Sequence, residues 1–177
     1  MNTEKYHLRY IREEDYKDIF EIVKNENVIK NLNMTKHKNE EETKALIKEY
    51  LNGLKTKTKY PFAIIEKKSQ NFLGVFLIKL DLYDEDSFEF TIYINEKYWY
   101  QGIYKEIFPI MIDFTFTHIK TKNFRGFVKE YNTASSKVLE NNHFKLEKIF
   151  KVPNIPCNIK SYVLTKKEYE KRKRLYK

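Results

Sequence analysis

Apolar and polar positions along this chain fall into two periods, one of strands and one of helices. Residues 6–11 (Tyr-His-Leu-Arg-Tyr-Ile) have the period of a short strand. Glu13, Glu14 and Asp15 then stand where a helix dipole favours acids, ahead of Tyr16, Ile19, Phe20 and Val23 on one helical face. Residues 25–39 are polar and aperiodic, a loop with at most a helical turn, and Leu46, Ile47, Tyr50, Leu51 and Leu54 set a second amphipathic helix over 40–54 that ends near Gly53. Three β-rich runs follow at 61–66, 72–83 and 88–95, separated by polar residues at 67–70 and a turn at 83–87, and they predict an antiparallel meander. In the last run Phe88, Phe90, Ile92 and Ile94 point one way, and Glu89, Thr91, Tyr93 and Asn95 the other. The first set reads as core and the second as a polar face free for chemistry.

A third helix is expected over 102–118, with Ile103, Ile107, Met111, Phe114 and His118 on a common stripe; Pro109 inside it removes a backbone bond and should kink it, at a cost of about 3 kcal/mol. Residues 124–128 read as a strand, 133–141 as a helix capped by Asn132, 146–152 and 161–165 as strands, and the basic tail at 166–177 as helical. Strands outnumber helices and the two are mixed, with one strand-helix-strand crossover in the middle: an α/β chain of mixed α+β character. Its 177 residues, without repeat or linker, fit a single domain over 1–177.

Composition narrows the classes. Hydrophobic residues make up 41% and aromatics 16%, which excludes a disordered chain despite 33% charge. A lone cysteine, Cys157, cannot form an internal disulfide, no apolar signal segment opens the chain, and no apolar run is long enough to span a bilayer; the expected location is cytoplasmic and away from membranes. Of the net charge of +9, five units lie in the tail at 166–177, so the rest of the chain is only mildly basic. The tail is either a solvated amphipathic end or a contact with the ribosome or another acidic surface.

The most informative local feature is the turn Trp99-Tyr100-Gln101-Gly102-Ile103-Tyr104, between an alternating strand and a helix. Such a turn aims unpaired backbone N–H groups and the positive end of a helix dipole at one point, the makings of a phosphate cradle. Around it, residues 8–15 (Leu-Arg-Tyr-Ile-Arg-Glu-Glu-Asp), 88–92 (Phe-Glu-Phe-Thr-Ile), 98–104 (Tyr-Trp-Tyr-Gln-Gly-Ile-Tyr) and 132–140 (Asn-Thr-Ala-Ser-Ser-Lys-Val-Leu-Glu) occur in the order and spacing of four motifs of one family. The chain resembles the GCN5-related N-acetyltransferases (GNAT), most closely their RimJ/RimL-like ribosomal-protein branch, over nearly its whole length.

The resemblance implies the GNAT acyltransferase fold: a central, mostly antiparallel, twisted sheet of six or seven strands flanked by about four helices. It implies acetyl-CoA as co-substrate and no metal, with the diphosphate at Tyr100, Gln101, Gly102, Ile103, Tyr104 and Lys105. The pantetheine would lie along Ile92, Tyr93 and Ile94, where backbone groups could receive it like an added strand and a backbone N–H could polarise the thioester carbonyl. Asn132 and Ser135 complete the cofactor set. Of the family's glycine signature only Gly102 remains, and Tyr104 replaces a small residue where backbone approaches phosphate.

Acetyl transfer to an amine needs a base, an oxyanion stabiliser and a proton for the departing thiolate. Glu89 is the candidate base, or else a binder of a cationic substrate, and Ser135 the candidate donor to sulfur, because the tyrosine that fills this role elsewhere in the family falls at Leu139. The four histidines have no metal-ligand spacing among themselves or with Cys157. The expected activity is N-acetyl transfer from acetyl-CoA to a primary amine, a small molecule or a protein N-terminus, through a direct ternary complex. The alternative is a degenerate GNAT-fold binding module that docks on RNA or ribosome. A homodimer is the default assembly.

Overall fold

The computed structural model describes residues 1–32 and 34–175, so Asn33 in the predicted 25–39 loop and the last two residues of the basic tail lie outside the described residues. In chain order the elements are β1 (Tyr6–Tyr10), α1 (Tyr16–Val23), α2 (Glu26–Ile29), α3 (Glu40–Lys55), β2 (Lys59–Glu66), β3 (Phe72–Asp81), β4 (Asp84–Ile94), α4 (Ile103–Phe114), β5 (Asn123–Lys129), α5 (Thr133–Asn141), β6 (Lys145–Lys151), β7 (Asn158–Thr165) and α6 (Lys166–Leu175). The strands form one sheet in the order β1-β2-β3-β4-β5-β7-β6. β4 and β5 pair in parallel, through the expected crossover helix, while β1-β2, β2-β3, β5-β7 and β6-β7 pair antiparallel. This is the mixed, mostly antiparallel sheet that the sequence predicts, flanked by six helices among the described residues, of which the one-turn α2 falls in the loop read with at most a helical turn and α6 is the tail read as helical. No helix among the described residues is long and apolar enough to cross a membrane.

Two compact units make up the chain: residues 1–79 with 91–107, and residues 80–90 with 108–177. In the first, Ile19, Ile22 and Val23 of α1 and Ile47 and Tyr50 of α3 join Ala63, Ile65, Val75, Leu77 and Tyr93 of the strands in one buried cluster. Tyr93 is the first departure from expectation. It sits on the face of β4 that its alternation marks as polar, yet it is 2% exposed, because α1 and α3 bring an apolar cover to that face. The Leu-Arg-x-x-Arg-Glu-Glu-Asp segment proves to be a structural lock: Arg9 donates two hydrogen bonds to the Asp15 carboxylate (2.8 and 2.7 Å), which also accepts from the Arg12 backbone N–H (2.7 Å). That bidentate pair ties β1 to the 3-10 turn Glu13–Asp15 that leads into α1.

In the second unit, the residues expected to turn the chain at 84–87 instead open β4. Arg125 of β5 reaches Asp84 (2.9 Å) and Asp81 (3.4 Å) on one side and Glu147 of β6 (3.1 Å) on the other, and Lys122 pairs with Asp86 (2.6 Å), which offsets two of the charges in the strand. The helix that contains Pro109 ends at Phe114 and gives way to a π-helical turn, Thr115–Ile119. Thr115 and Thr117 hydroxyls donate back to the carbonyls of Met111 and Asp113, both at 2.7 Å, the kind of bond that bends a helix. α6 is fastened to this region: Tyr169 stacks on Phe116 (4.8 Å) and, with Lys173, donates to Asp113.

Candidate active site

The predicted cradle lies in the first unit. After β4 the chain makes a 3-10 turn, Glu96–Tyr98, in which the Asn95 side chain accepts from the Lys97 N–H (3.1 Å). Trp99 then donates its indole N–H to the Ile94 carbonyl (2.9 Å) and packs on the unit's core, so it braces the turn from beneath. Tyr100 (φ +63°) and Gly102 (φ +74°) both adopt the left-handed region, which folds the backbone back on itself just before Ile103 opens α4. The Lys105 N–H in the first turn of α4 donates to the Gly102 carbonyl (3.0 Å), and Lys5 on the approach to β1 donates its own N–H to the Glu106 side chain (3.2 Å), which steadies that turn.

The side chains of the turn divide by role. Ile103 is 2% exposed, so only its backbone is offered outward; Gln101 donates its side-chain amide to the Lys97 carbonyl (3.2 Å); Tyr100 is 99% exposed, its ring edge-on to Trp99; and Lys105 is exposed. Tyr104, which replaces a small residue, is half-buried, and desolvation pushes its hydroxyl up to about 12. A Cβ placed on Gly102 would meet nothing within 4 Å, the ring of Tyr104 included. The space over the glycine is open, and the turn fits the diphosphate of a CoA thioester. Ile94 and Tyr93 are each 2% exposed and Ile92 is half-buried, which leaves β4 backbone, and not these side chains, as what the strand can present to a ligand. The Tyr93 hydroxyl is buried beside the Tyr50 hydroxyl, too poorly placed for a well-formed hydrogen bond; desolvation first, and then that neighbour, hold its pKa well above the ordinary value.

The remaining candidates lie in the second unit. Glu89 is half-buried and pairs in register with Arg125; the parallel ladder runs from Ser87↔Asn123 to Phe90↔Gly126 and ends there. Sequence reasoning missed Arg125, although an arginine amid a strand, downstream of the acidic stretch at 81–86, was a signal for it. Three carboxylates surround its guanidinium, a surplus of negative charge on the face of Glu89. The Ser87 hydroxyl, and after it Arg125, hold the Asp84 carboxyl down to about 2. Asn132 caps α5 as expected, accepting from the Ser135 N–H (3.1 Å), which commits its side-chain oxygen to the helix. Ser135 is half-buried in the first turn, whereas Ser136, which the sequence did not single out, is buried with its hydroxyl near that of Tyr162. Among the described residues no group of three or more His, Cys, Asp or Glu is placed to hold a metal ion.

Comparison with known proteins agrees with this geometry. The family model of the acetyltransferase (GNAT) domain matches residues 5–145. Curated protein sequences give no match. Among solved structures, a GNAT-family acetyltransferase from Bacillus anthracis superposes with a TM-score of 0.82 at 19% identity, over 95% of this chain and 99% of that one. Spermidine N-acetyltransferase from Vibrio cholerae, solved with CoA and spermine, gives 0.81 at 18% identity, over 94% and 98%. RimL, a ribosomal L7/L12 α-N-protein acetyltransferase solved with coenzyme A, gives 0.80 at 18% identity, over 92% and 94%. At these identities the structural likenesses establish the fold, and the family match adds the lineage: the chain belongs to the GNAT acetyltransferases.

Proposed function

We propose that this protein transfers the acetyl group of acetyl-CoA to a primary amine, a small amine or a protein N-terminus, in a direct ternary complex, as a single cytoplasmic domain of the RimJ/RimL-like branch. The observation that carries the reading is the turn at Gly102: a left-handed glycine in front of α4, with open space where a side chain would stand. Two of the three solved relatives are N-acetyltransferases, one of spermidine and one of a ribosomal protein's α-nitrogen. A Tyr104 ring that filled the cradle would favour the docking module, and that ring is not within 4 Å of the Gly102 Cβ position. A ribosome contact through the basic α6 and a homodimer remain part of the proposal.

Acetyl-CoA supplies an acyl carbon activated by a thiolate leaving group. Backbone N–H groups of Gly102, Ile103 and Tyr104 hold its diphosphate, with Tyr100, Gln101 and Lys105 around them. Backbone groups of Ile92, Tyr93 and Ile94 accept the pantetheine as a strand would, and an N–H at Ile92 or Tyr93 polarises the carbonyl. Glu89 takes the amine proton as nitrogen bonds to the acyl carbon, and the negative surroundings of Arg125 favour a cationic amine there. Ser135 passes a proton to sulfur as the C–S bond breaks, and Asn132 fixes the helix turn that carries Ser135.

A panel of amines with thiol release as the readout tests the activity. On the amine that works, Glu89→Gln is expected to lower turnover at least tenfold near neutral pH with acetyl-CoA affinity unchanged; unchanged turnover would remove Glu89 as base.

A further inference from the structure

Two side chains from the junction of α1 and α2 reach the turn that leads into the cradle, and both belong to the same compact unit as that turn. Asn25 donates its side-chain amide to one carboxylate oxygen of Glu96 (2.7 Å), and Asn27 donates to the other (2.9 Å), across 71 and 69 positions of chain. The Asn25 amide is fixed in this sense, because its oxygen already caps α2 by accepting from the Asn27 N–H (2.9 Å). Ile22 and Val23 at the end of α1 and Val28 and Ile29 of α2 all lie in the buried cluster of that unit, so the grip on Glu96 comes from a well-packed part of the core. A cleft of about 500 Å³ opens beside Asn25 and Glu96, with Glu21, Lys24, Asn95 and Lys97 as its other walls. A shortened side chain at 96 therefore opens onto that cleft and leaves no sealed cavity.

We propose that Glu96 is a positioning residue for the cofactor: clamped by Asn25 and Asn27, it fixes the turn where the backbone around Gly102 receives the diphosphate. The inference rests on the functional reading above. Bonds within the turn set its shape: the Tyr98 N–H donates to the Asn95 carbonyl (2.9 Å), the Trp99 N–H to the Glu96 carbonyl (3.2 Å) and the Gln101 side chain to the Lys97 carbonyl (3.2 Å). Being local, they do not set where the turn stands on the body of the unit. Trp99 anchors it on the core and Glu96 on the α1-α2 junction. A shift at 96 passes through those same bonds to Trp99 and Gln101, which flank Tyr100, the first left-handed residue of the cradle. Backbone donors hold an anion by converging on it, so a turn that drifts weakens several bonds at once.

Trp99, the one tryptophan of the chain, reports the turn by its emission, and titration calorimetry with free CoA reports the cradle without an acceptor. Glu96→Ala is expected to bind CoA roughly tenfold more weakly than the wild type, with Trp99 emission shifted to the red in the ligand-free protein and the urea midpoint little changed. Glu96→Gln keeps an acceptor oxygen for Asn25, and Asn27 can turn its amide over to accept from the new side chain, so its CoA affinity should stay within about threefold of the wild type. Asn25→Ser keeps an oxygen to cap α2 but is too short to reach Glu96, and should weaken CoA binding in the direction of Glu96→Ala; it decides the matter should Glu96→Ala fail to fold. Wild-type affinity in Glu96→Ala or Asn25→Ser, a Trp99 emission indifferent to residue 96, or a loss of affinity matched by an equal loss of urea stability overturns this inference alone. A wild type that does not bind CoA overturns it together with the functional reading.

Discussion

At the scale of single residues, the same chemical group does different work according to what covers it. Two tyrosines near the cradle show this: Tyr100 stands in solvent, while Tyr104, four positions along the same turn and helix, is desolvated enough for its hydroxyl to reach about 12. Tyr93 goes further, since its hydroxyl is buried with the Tyr50 hydroxyl beside it and makes no well-formed hydrogen bond. A buried hydroxyl held that way costs stability, so Tyr93→Phe should leave the protein as stable as the wild type or more stable by about 1 kcal/mol, as measured by urea unfolding; a loss of that size would mean that the Tyr50 hydroxyl is a full partner. Its position was readable only in part. Period-2 alternation puts Tyr93 beside Glu89 and Thr91, but burial of that face depends on α1 and α3, which lie some forty or more residues earlier in the chain and leave no mark on the local pattern.

At the scale of elements, the strands and helices with strong periods were legible, and the misplaced boundaries lie where a distant partner overrides local propensity. β4 begins four residues before its apolar alternation because Arg125 pairs with Asp84 and Lys122 with Asp86 at its start. The helix of Pro109 ends before His118 because two threonines bond back to their own helix. Cap chemistry, by contrast, is local and was read correctly at Asn132. The Arg125 cluster also makes a pH prediction. Asp84 is held down to about 2 from an ordinary 3.8, so the stability it contributes is complete above about pH 4 and is lost as pH falls through about 2. Acid unfolding of Asp84→Asn should therefore start from a lower stability at neutral pH and fall less steeply between pH 4 and 2 than the wild type; parallel curves would show that the carboxylate is not coupled to folding.

At the scale of the whole molecule, the order of motifs carried more than any one of them. The family was legible from four short segments because each sits at a structural necessity: the Arg9–Asp15 lock, the alternating β4, the left-handed turn at Gly102 and the Asn132 cap. The basic excess reads differently once folded, since α6 is not a loose tail: Tyr169 and Lys173 fasten it to Asp113 and Glu168 engages Lys145. The central claim is that backbone around Gly102 grips the diphosphate of acetyl-CoA. It is tested most directly by thermal unfolding with and without acetyl-CoA, for the wild type and for Gly102→Asp. Aspartate tolerates the left-handed conformation and has room there, so the variant should fold, while its charge repels the diphosphate. The account predicts that cofactor at 100 times its dissociation constant stabilises the wild type by about 2.7 kcal/mol and Gly102→Asp hardly at all; no stabilisation of the wild type, or an equal one in the variant, would contradict it.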